Sequence, residues 1–287
     1  MNFSNLFQEP PPELVFELSE GGVAVSKTSD PLSKAFHALP PGVISASPLR
    51  DNVTQPEVLA AAVLAAAPAN GNRKRRRAAV ILPDYCARLS VLDFDNFPDK
   101  PEDQIALVRF RIKKTVPFDV DSAAIRYKAQ STRDVVVAAT PADIIARYEA
   151  PFRAAHIQPG FVTISSLACL ELVKAEGIQV IGKINGHVLT VMVFQNDVIK
   201  LIRSLELTEF TISEIAADLY PTFVYVEDQF GARADKLLLS GFGGLEEEAR
   251  KQFYSEIGVP VDVLQSRFGP VTERDAGLLG YLQGLHS

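Results

Sequence analysis

The stretch VIGKINGHVLTVMVFQNDVIKLIR, residues 180–203, predicts three consecutive antiparallel strands. Two short turns, Asn185-Gly186 and Asn196-Asp197, separate three runs of β-branched and other apolar residues. Such turns between apolar runs are a strong local signal for β-hairpins. From residue 211 to 285 the pattern continues as helix, strand, helix, strand and helix. The second part of the chain therefore predicts one sheet made of a three-stranded meander and further strands joined by helices.

A degenerate copy of this order opens the chain. It consists of a hairpin around Gly21-Gly22, a short strand near residues 43–45, an Ala-rich helix at 54–67 and a strand at 78–82. Capping boxes, in which a Ser or Thr is followed three residues later by an acid, predict helix starts at Thr54, Thr140, Thr211 and Thr272. This self-similarity indicates two related halves.

We therefore predict an α/β protein with three parts. A flexible lead-in covers residues 1–12, a first half covers 13–177 and a second half covers 178–287. Additional strands and a helix at about 78–160 predict an inserted α+β subdomain in the first half. The segment 205–235 holds one helix, which predicts a reduced insertion in the second half.

Composition limits the class of protein. The 287 residues are 47% hydrophobic and carry a net charge of −6, which is ordinary for a soluble globular chain and excludes disordered, collagen-like and coiled-coil classes. The longest uncharged apolar runs, 58–70 and 184–196, are shorter than the roughly 20 residues of a membrane span. The start of the sequence lacks the features of a secretory signal, and Cys86 and Cys169 cannot form a disulfide framework. We expect a cytosolic protein.

One basic run stands out in this acidic chain. Arg73–Arg77 supplies five of the 29 basic residues, and without it 24 basic residues face 35 acidic ones. The run has no interleaved aromatic residues, which argues against nucleic-acid binding. A solvated loop and a contact with anionic lipid headgroups or an acidic partner both remain open.

No motif for catalysis or metal binding is present. The four histidines are scattered without metal-ligand spacing, and the sequence contains no GxSxG, Walker A or GxGxxG pattern. We therefore expect no catalytic residues, no metal site and no enzymatic activity.

The two hairpins suggest one alternative. Two related halves that each open with a hairpin facing a shared cleft are typical of the actin, Hsp70 and sugar-kinase architecture. There, two hairpin turns hold nucleotide phosphates and a later Gly-rich turn holds adenosine. The corresponding residues are Ser19, Gly21 and Gly22 in the first turn, Gly186 in the second, and Gly241, Gly243 and Gly244 in the third.

These turns are poorly suited to phosphate. Glu17 and Glu20 place like charge where an anion would sit, and Asn185-Gly186 is an ordinary hairpin turn. We therefore expect neither ATP nor Mg²⁺ as a cofactor. An actin-like ATP-binding protein or ATPase that uses these residues is the alternative.

A candidate groove lies in the predicted insertion. In residues 104–115, Ile105, Val108 and Ile112 share one helical face, while Arg109 and Lys113 lie off it. The helix ends at Val116-Pro117-Phe118. Phe118 can cap the local core or form the floor of a groove for an apolar peptide, and both interpretations remain open.

Several segments together resemble a known family in their order and spacing. They are FHALPPGVI at 36–44, AVILP at 79–83, VPF at 116–118, LLLSGFG at 237–243 and IGVPV at 257–261. They resemble PilM, the actin-like cytoplasmic proteins of the type IV pilus inner-membrane platform, over residues 13–284. This chain departs from the family at the phosphate turns, with ELSE at 17–20 and Asn185-Gly186-His187 where the family carries Asp-Ile-Gly-Ser and Asp-x-Gly. The resemblance therefore implies a pseudo-ATPase with an actin-like fold.

The resemblance also implies a function. It implies a non-catalytic cytoplasmic scaffold, peripheral on the inner membrane, that docks the short cytosolic N-terminal peptide of a single-pass partner similar to PilN. The peptide would contact the inserted subdomain through Leu82, Pro83, Arg88, Arg109, Lys113, Pro117 and Phe118. A pilus motor ATPase or platform protein and further copies of the chain are other implied partners. The cytoplasmic domain of a type II secretion platform protein is the alternative within this class.

Overall fold

The computed structural model describes residues 10–68, 76–130, 133–174 and 176–286. Most of the predicted lead-in, and residues 73–75 of the basic run, lie outside the described residues. The strands are β1 Leu14–Ser19, β2 Gly22–Lys27, β3 Asp30–Ala38, β4 Arg76–Leu82, β5 Arg88–Asp93, β6 Ala123–Ala129, β7 Asp134–Pro141, β8 Ile157–Ile164, β9 Ile178–Asn185, β10 Val188–Gln195, β11 Val198–Glu206, β12 Lys236–Ser240, β13 Val261–Val263, β14 Gln265–Ser266 and β15 Gly269–Pro270. The helices are α1 Pro56–Ala66, α2 Pro101–Ile112, α3 Ala142–Ala154, α4 Ser165–Ala168, α5 Ile212–Phe230, α6 Glu246–Ile257 and α7 Ala276–Leu285.

Two five-stranded sheets have the same topology. The first has the order β3-β2-β1-β4-β8 and the second β11-β10-β9-β12-β13. In each sheet an antiparallel meander supplies three strands, and the two later strands run parallel to the first strand of the meander. The predicted pair of related α/β halves is therefore confirmed.

The second meander forms as predicted, except that its first turn lies one residue later in the sequence. Asn196 and Asp197 form the turn between β10 and β11 and both have positive φ, 49° and 64°. The turn between β9 and β10 is Gly186-His187, one residue later than predicted, because Asn185 pairs with Val188 in the ladder. Gly186, with φ 62°, occupies the first turn position, where a two-residue hairpin of this kind requires glycine.

The third strand of the first half was predicted in the wrong place. β3 covers Asp30–Ala38, whereas Ile44 forms only an isolated bridge with Val53. The strand contains Pro31 and has no regular apolar alternation. Proline is tolerated on an edge strand, where its missing N–H faces away from the ladder, and β3 is an edge.

The helices cover both sheets and fill the space between them. Leu59 of α1 and Phe152 of α3 pack on the first sheet, and Leu219 of α5 and Phe253 of α6 pack on the second. The helix α7 contributes leucines to a third cluster that joins the two halves. None of the helices in the described ranges is long and apolar enough to cross a membrane.

Of the four predicted capping boxes, one acts as a cap. The Thr211 hydroxyl accepts from Glu214 N at the start of α5. Thr54 and Thr140 instead donate to distant carbonyls, those of Gly42 and Cys86. The predicted start at Thr272 is also wrong, because α7 begins at Ala276.

The insertion is a separate layer. Its sheet has the order β5-β7-β6, and α2 packs on it through Val108 and Ile112. The sheet lies within residues 88–141, because β4 and β8 belong to the first main sheet, so the predicted range 78–160 is wider than this layer. In the second half, α5 alone connects β11 to β12.

Candidate functional site

The first two hairpin turns meet where the halves join. Glu20, in the turn between β1 and β2, lies with Oε2 2.9 Å from Nδ1 of His187, in the turn between β9 and β10. A Cβ added at Gly186 would lie 2.7 Å from the same carboxylate oxygen. The other oxygen, Oε1, accepts from Ala46 N at 3.1 Å. The Glu20 carboxylate therefore lies between the two turns that would have to receive phosphate.

A second acid lies under the first turn. Glu17 is buried, and its carboxylate accepts from Ser165 Oγ and from Leu278 N, the latter at 2.7 Å. Burial raises the pKa of Glu17 to about 7, although the positive charge of Lys183 acts in the opposite direction. The strand that leads into the first turn thus carries a fixed carboxyl group inside the protein.

A buried ion pair joins the two halves beside this carboxyl. Lys183 Nζ, from β9, lies 2.8 Å from Asp84 Oδ2, and the two side chains are 1% and 0% exposed. Asp84 also accepts from Ser166 N at 2.6 Å and from Thr190 Oγ1 at 3.3 Å. Burial lowers the pKa of Lys183, but Asp84 and other neighbouring acidic groups outweigh it and raise the pKa. Sequence reasoning missed this pair, whose one local signal is a lysine within the apolar strand VIGKI.

The remaining candidate nucleotide residues have structural roles. Ser19 Oγ donates to the Gly22 carbonyl across the first hairpin at 3.2 Å. A Cβ at Gly241, where φ is 84°, would collide with the Ile184 backbone. A Cβ at Gly22 would lie 2.5 Å from the Phe36 ring and would also collide with the His37 carbonyl oxygen. These close approaches require glycine whether or not a nucleotide binds. Gly243 and Gly244 belong to a short 3-10 turn, and Gly21 lies in the tip of the first hairpin.

A groove follows the unpaired edge of β6. In the sheet β6 pairs with β7 alone among the described strands. A cavity of about 340 Å³ lies along residues 123–127 beside Ile105 and Arg109 of α2. A larger one, about 570 Å³, lies along residues 126–130. Both cavities adjoin β6 and share Arg126 and Tyr127 in their linings, and we call the two together the β6 groove.

The larger cavity of the β6 groove is bounded by the inserted sheet, by the segment near α4 and by the second half of the chain. Val136 of the inserted sheet, Leu170 near α4 and Phe194 of the second half contribute apolar surface to it. Its far end is fixed by Gln130, whose side chain makes two hydrogen bonds with the backbone of Ile199, at 2.9 and 2.8 Å. The groove is therefore held by contacts that join the inserted subdomain to the second half.

The structure separates the predicted groove residues. Leu82 and Pro83 are buried at the end of β4, so they present no surface to a peptide. The Arg88 guanidinium lies over the Tyr85 ring, 5.1 Å from its centroid. Arg109 lines the β6 groove and donates to the Val120 carbonyl at 3.0 Å.

The other predicted groove residues follow α2. Lys113 and Pro117 are exposed, and the half-buried Phe118 packs against the core of the inserted subdomain. Arg126 and Lys128, which line the β6 groove, were not predicted. Their only local signal is the alternation of basic and apolar residues in AAIRYKA, residues 123–129.

Part of the basic run can be placed. The Arg76 guanidinium donates to the carbonyls of Ala67 and Pro68 at the end of α1, at 2.7 and 3.1 Å.

Among the described residues, no cluster of three or more His, Cys, Asp or Glu side chains is arranged to hold a metal ion.

Several solved structures have a fold similar to that of this chain. No protein-family model and no curated sequence matches the chain. A chain of the PilM-PilN type IV pilus biogenesis complex is similar, with 16% identity, a TM-score of 0.70, and coverage of 95% of this chain and 98% of that one. The cytoplasmic domain of EpsL, an inner membrane component of the type II secretion system of Vibrio cholerae, has 12% identity, a TM-score of 0.52, and coverage of 96% and 94%.

A protein of unknown function from Bacteroides thetaiotaomicron, described as having the actin-like ATPase fold, is also similar. It has 12% identity, a TM-score of 0.50, and coverage of 92% of this chain and 93% of that one. At such identities the similarity establishes the fold. The chain has the actin-like fold, and the resemblance to PilM inferred from the sequence is confirmed at that level.

The buried ion pair predicts a large effect of a single substitution. Lys183→Met leaves Asp84 buried and unpaired, so we expect a loss of about 3–5 kcal/mol in the free energy of unfolding. The double variant Asp84→Asn with Lys183→Met should recover part of that loss. As a control, Lys251→Met removes an exposed pair with Glu247 and should cost less than about 1 kcal/mol. Urea unfolding measures all three, and equal costs for the two single variants would contradict the assignment.

Glu17 predicts a pH dependence of stability. Because its folded pKa is about 7 against an ordinary value of 4.5, the folded state binds more protons than the unfolded state between these values. Stability should therefore fall as pH rises from about 4.5 to about 7, by up to about 3 kcal/mol from this group. Glu17→Gln removes this contribution while it can still accept from Leu278 N.

The test compares urea midpoints of the parent and Glu17→Gln chains across this pH range. The stability advantage of the variant should grow toward neutral pH. Two curves that stay parallel would mean that Glu17 does not titrate in this window.

Proposed function

We propose that this chain is a non-catalytic cytoplasmic scaffold of a type IV pilus or related secretion platform. In this proposal it docks an extended N-terminal peptide of a single-pass inner-membrane protein along the β6 groove. The unpaired edge of β6, with one cavity beside residues 123–127 and another beside residues 126–130, carries the proposal. Similarity in fold to a chain of the PilM-PilN complex and to the EpsL cytoplasmic domain supports the biological setting.

The edge of β6 offers main-chain hydrogen bonds. An unpaired strand edge presents a row of N–H and C=O groups, and an extended peptide can add to it as a further strand. β6 has seven residues, which at about 3.3 Å per residue gives an edge of roughly 23 Å. A peptide segment of similar length, about six or seven residues, matches it.

The side chains around this edge indicate which peptide fits. Apolar side chains such as Leu170 and Phe194 line the larger cavity, whose lining also includes Glu171 and Asp197. Arg109, Arg126 and Lys128 place positive charge beside the strand itself. A peptide with apolar residues on one face and an acidic residue on the other would satisfy both. Binding of this kind gives register and localisation rather than chemistry, and it would hold the scaffold peripherally at the membrane.

The cleft between the halves supports a role without catalysis. The Glu20 carboxylate lies between the two phosphate turns and contacts His187. Placing a nucleotide phosphate there would require the displacement of Glu20 and would bring two anions together. This arrangement favours a scaffold over the alternative of an actin-like ATPase.

Peptide titration tests the groove. The probe is a synthetic peptide with the cytosolic N-terminal sequence of the PilN-like protein from the same organism. Arg126→Glu and Arg109→Glu reverse charge in the β6 groove, so each should weaken binding by about tenfold, the loss expected for one charge-assisted hydrogen bond. Lys113→Glu, one turn after Arg109 on the exposed end of α2, is the matched control and should change affinity less than about twofold. Unchanged affinity in both groove variants would rule out this groove.

Calorimetry with ATP and Mg²⁺ tests the alternative function. Because Glu20 lies between the phosphate turns, we expect no binding tighter than about 100 μM, or roughly −5.5 kcal/mol. Tighter binding that Glu20→Gln strengthens would contradict the proposal, because it would place the nucleotide at these turns.

A further inference from the structure

A second cavity lies away from the β6 groove. It has a volume of about 820 Å³ and is lined by the first residues of β9 and β12, by β13 and β14, and by Gln283 of α7. It shares no lining residue with the β6 groove. We call it the β13 cleft.

The β13 cleft carries positive charge in an acidic protein. Its lining includes one acid, Asp262, and four cationic residues from separate parts of the chain, which are Lys174, Lys236, Arg250 and Arg267. Asp262 contacts Lys236 Nζ at 3.0 Å and an Arg250 guanidinium nitrogen at 3.7 Å. Glu247 also pairs with Arg250, at 3.6 Å. Two acids therefore face four cations, and the cleft keeps an excess of positive charge that attracts anions.

A buried amide adds a second and independent feature. Gln179, which lines the cleft, is 8% exposed. Its Nε2 donates to the carbonyls of Lys174 and Glu176, at 3.3 and 3.2 Å, and these bonds fix the orientation of the amide. The remaining atom, Oε1, is covered and has no hydrogen-bond partner among the described residues. A buried acceptor of this kind is costly unless a donor satisfies it.

We propose that the β13 cleft binds a small phosphate ester that also carries a hydroxyl or amino group. Phosphate oxygens can contact several cations at once, and a guanidinium such as that of Arg250 binds phosphate in a planar, bidentate way. Because Gln179 Oε1 is covered in this structure, the hydroxyl or amino group of the ligand donates to it only after the neighbouring lining moves aside. The volume lies within the usual range of small-molecule sites, about 300–1,000 Å³. This inference does not rest on the proposed peptide docking.

Calorimetric titration of the full chain with glycerol 3-phosphate at low salt tests the site. Two neighbouring residues of α6 give a matched pair, because Arg250 and Lys251 both pair with Glu247 but Arg250 lines the cleft and Lys251 does not. Arg250→Gln should weaken binding roughly tenfold, as expected for the loss of a charge-assisted hydrogen bond, and Lys251→Gln less than twofold. Lys174→Gln provides a second cleft variant at an exposed position. Inorganic phosphate, which lacks the carbon-linked hydroxyl groups, should bind more weakly than glycerol 3-phosphate.

Vesicles distinguish the source of the phosphate ester. Binding to phosphatidylglycerol vesicles, but not to phosphatidylcholine vesicles, that is weakened by Arg250→Gln would identify a lipid headgroup as the ligand. Binding of glycerol 3-phosphate without any such vesicle binding would identify a soluble phosphate ester. The proposal is overturned if Arg250→Gln and Lys174→Gln affect neither probe more than Lys251→Gln does.

Discussion

The buried ion pair between Lys183 and Asp84 is the contact on which the arrangement of the two halves depends. Removing two charges from water is costly, and the cost is offset only when each charge keeps close partners. Asp84 follows β4 and Lys183 lies within β9, so these partners come from both halves. Hydrogen bonds from Ser166 N and Thr190 Oγ1 complete the environment of the carboxylate. A relative movement of the halves would leave a charge unpaired, so the pair opposes such a movement, together with the apolar cluster that joins the halves.

This constraint changes what the cleft between the halves can do. Glu17, Glu20 and the ion pair place three carboxyl groups at or below the first two turns, and His187 contacts Glu20 directly. In an actin-like fold this is where a nucleotide would need free backbone N–H groups and positive charge. An unpaired strand edge and basic side chains lie instead along β6, at the surface of the inserted layer. The strand edge and the positive charge that could serve a partner therefore lie on the inserted subdomain and not in the cleft between the halves.

Sequence reasoning succeeded where local chemistry determines the structure. The turn at Asn196-Asp197 and the cap at Thr211 depend on a few adjacent residues, and both formed as predicted. β3 was missed because an edge strand tolerates Pro31 and needs no apolar alternation. Leu82 was assigned to a groove by resemblance, yet it is 2% exposed, since its strand lies inside a sheet between β1 and β8. Arg126 and Lys183 acquire their roles from strand order and from contacts between the halves, which local sequence patterns do not encode.

The charges along β6 bear on two properties of this open edge, which are its tendency to pair with another copy of the chain and the kind of peptide that could add to it. An exposed edge without charges would pair with any strand, including that of another copy of the same chain, and proteins commonly prevent this with charged side chains, especially lysine. Arg126 and Lys128 have this position on β6. The same charges repel another basic edge, so two copies of β6 would not pair readily, whereas an acidic or neutral peptide with apolar anchors would meet no such penalty. In the proposed docking, the residues that oppose self-association would therefore also select the peptide.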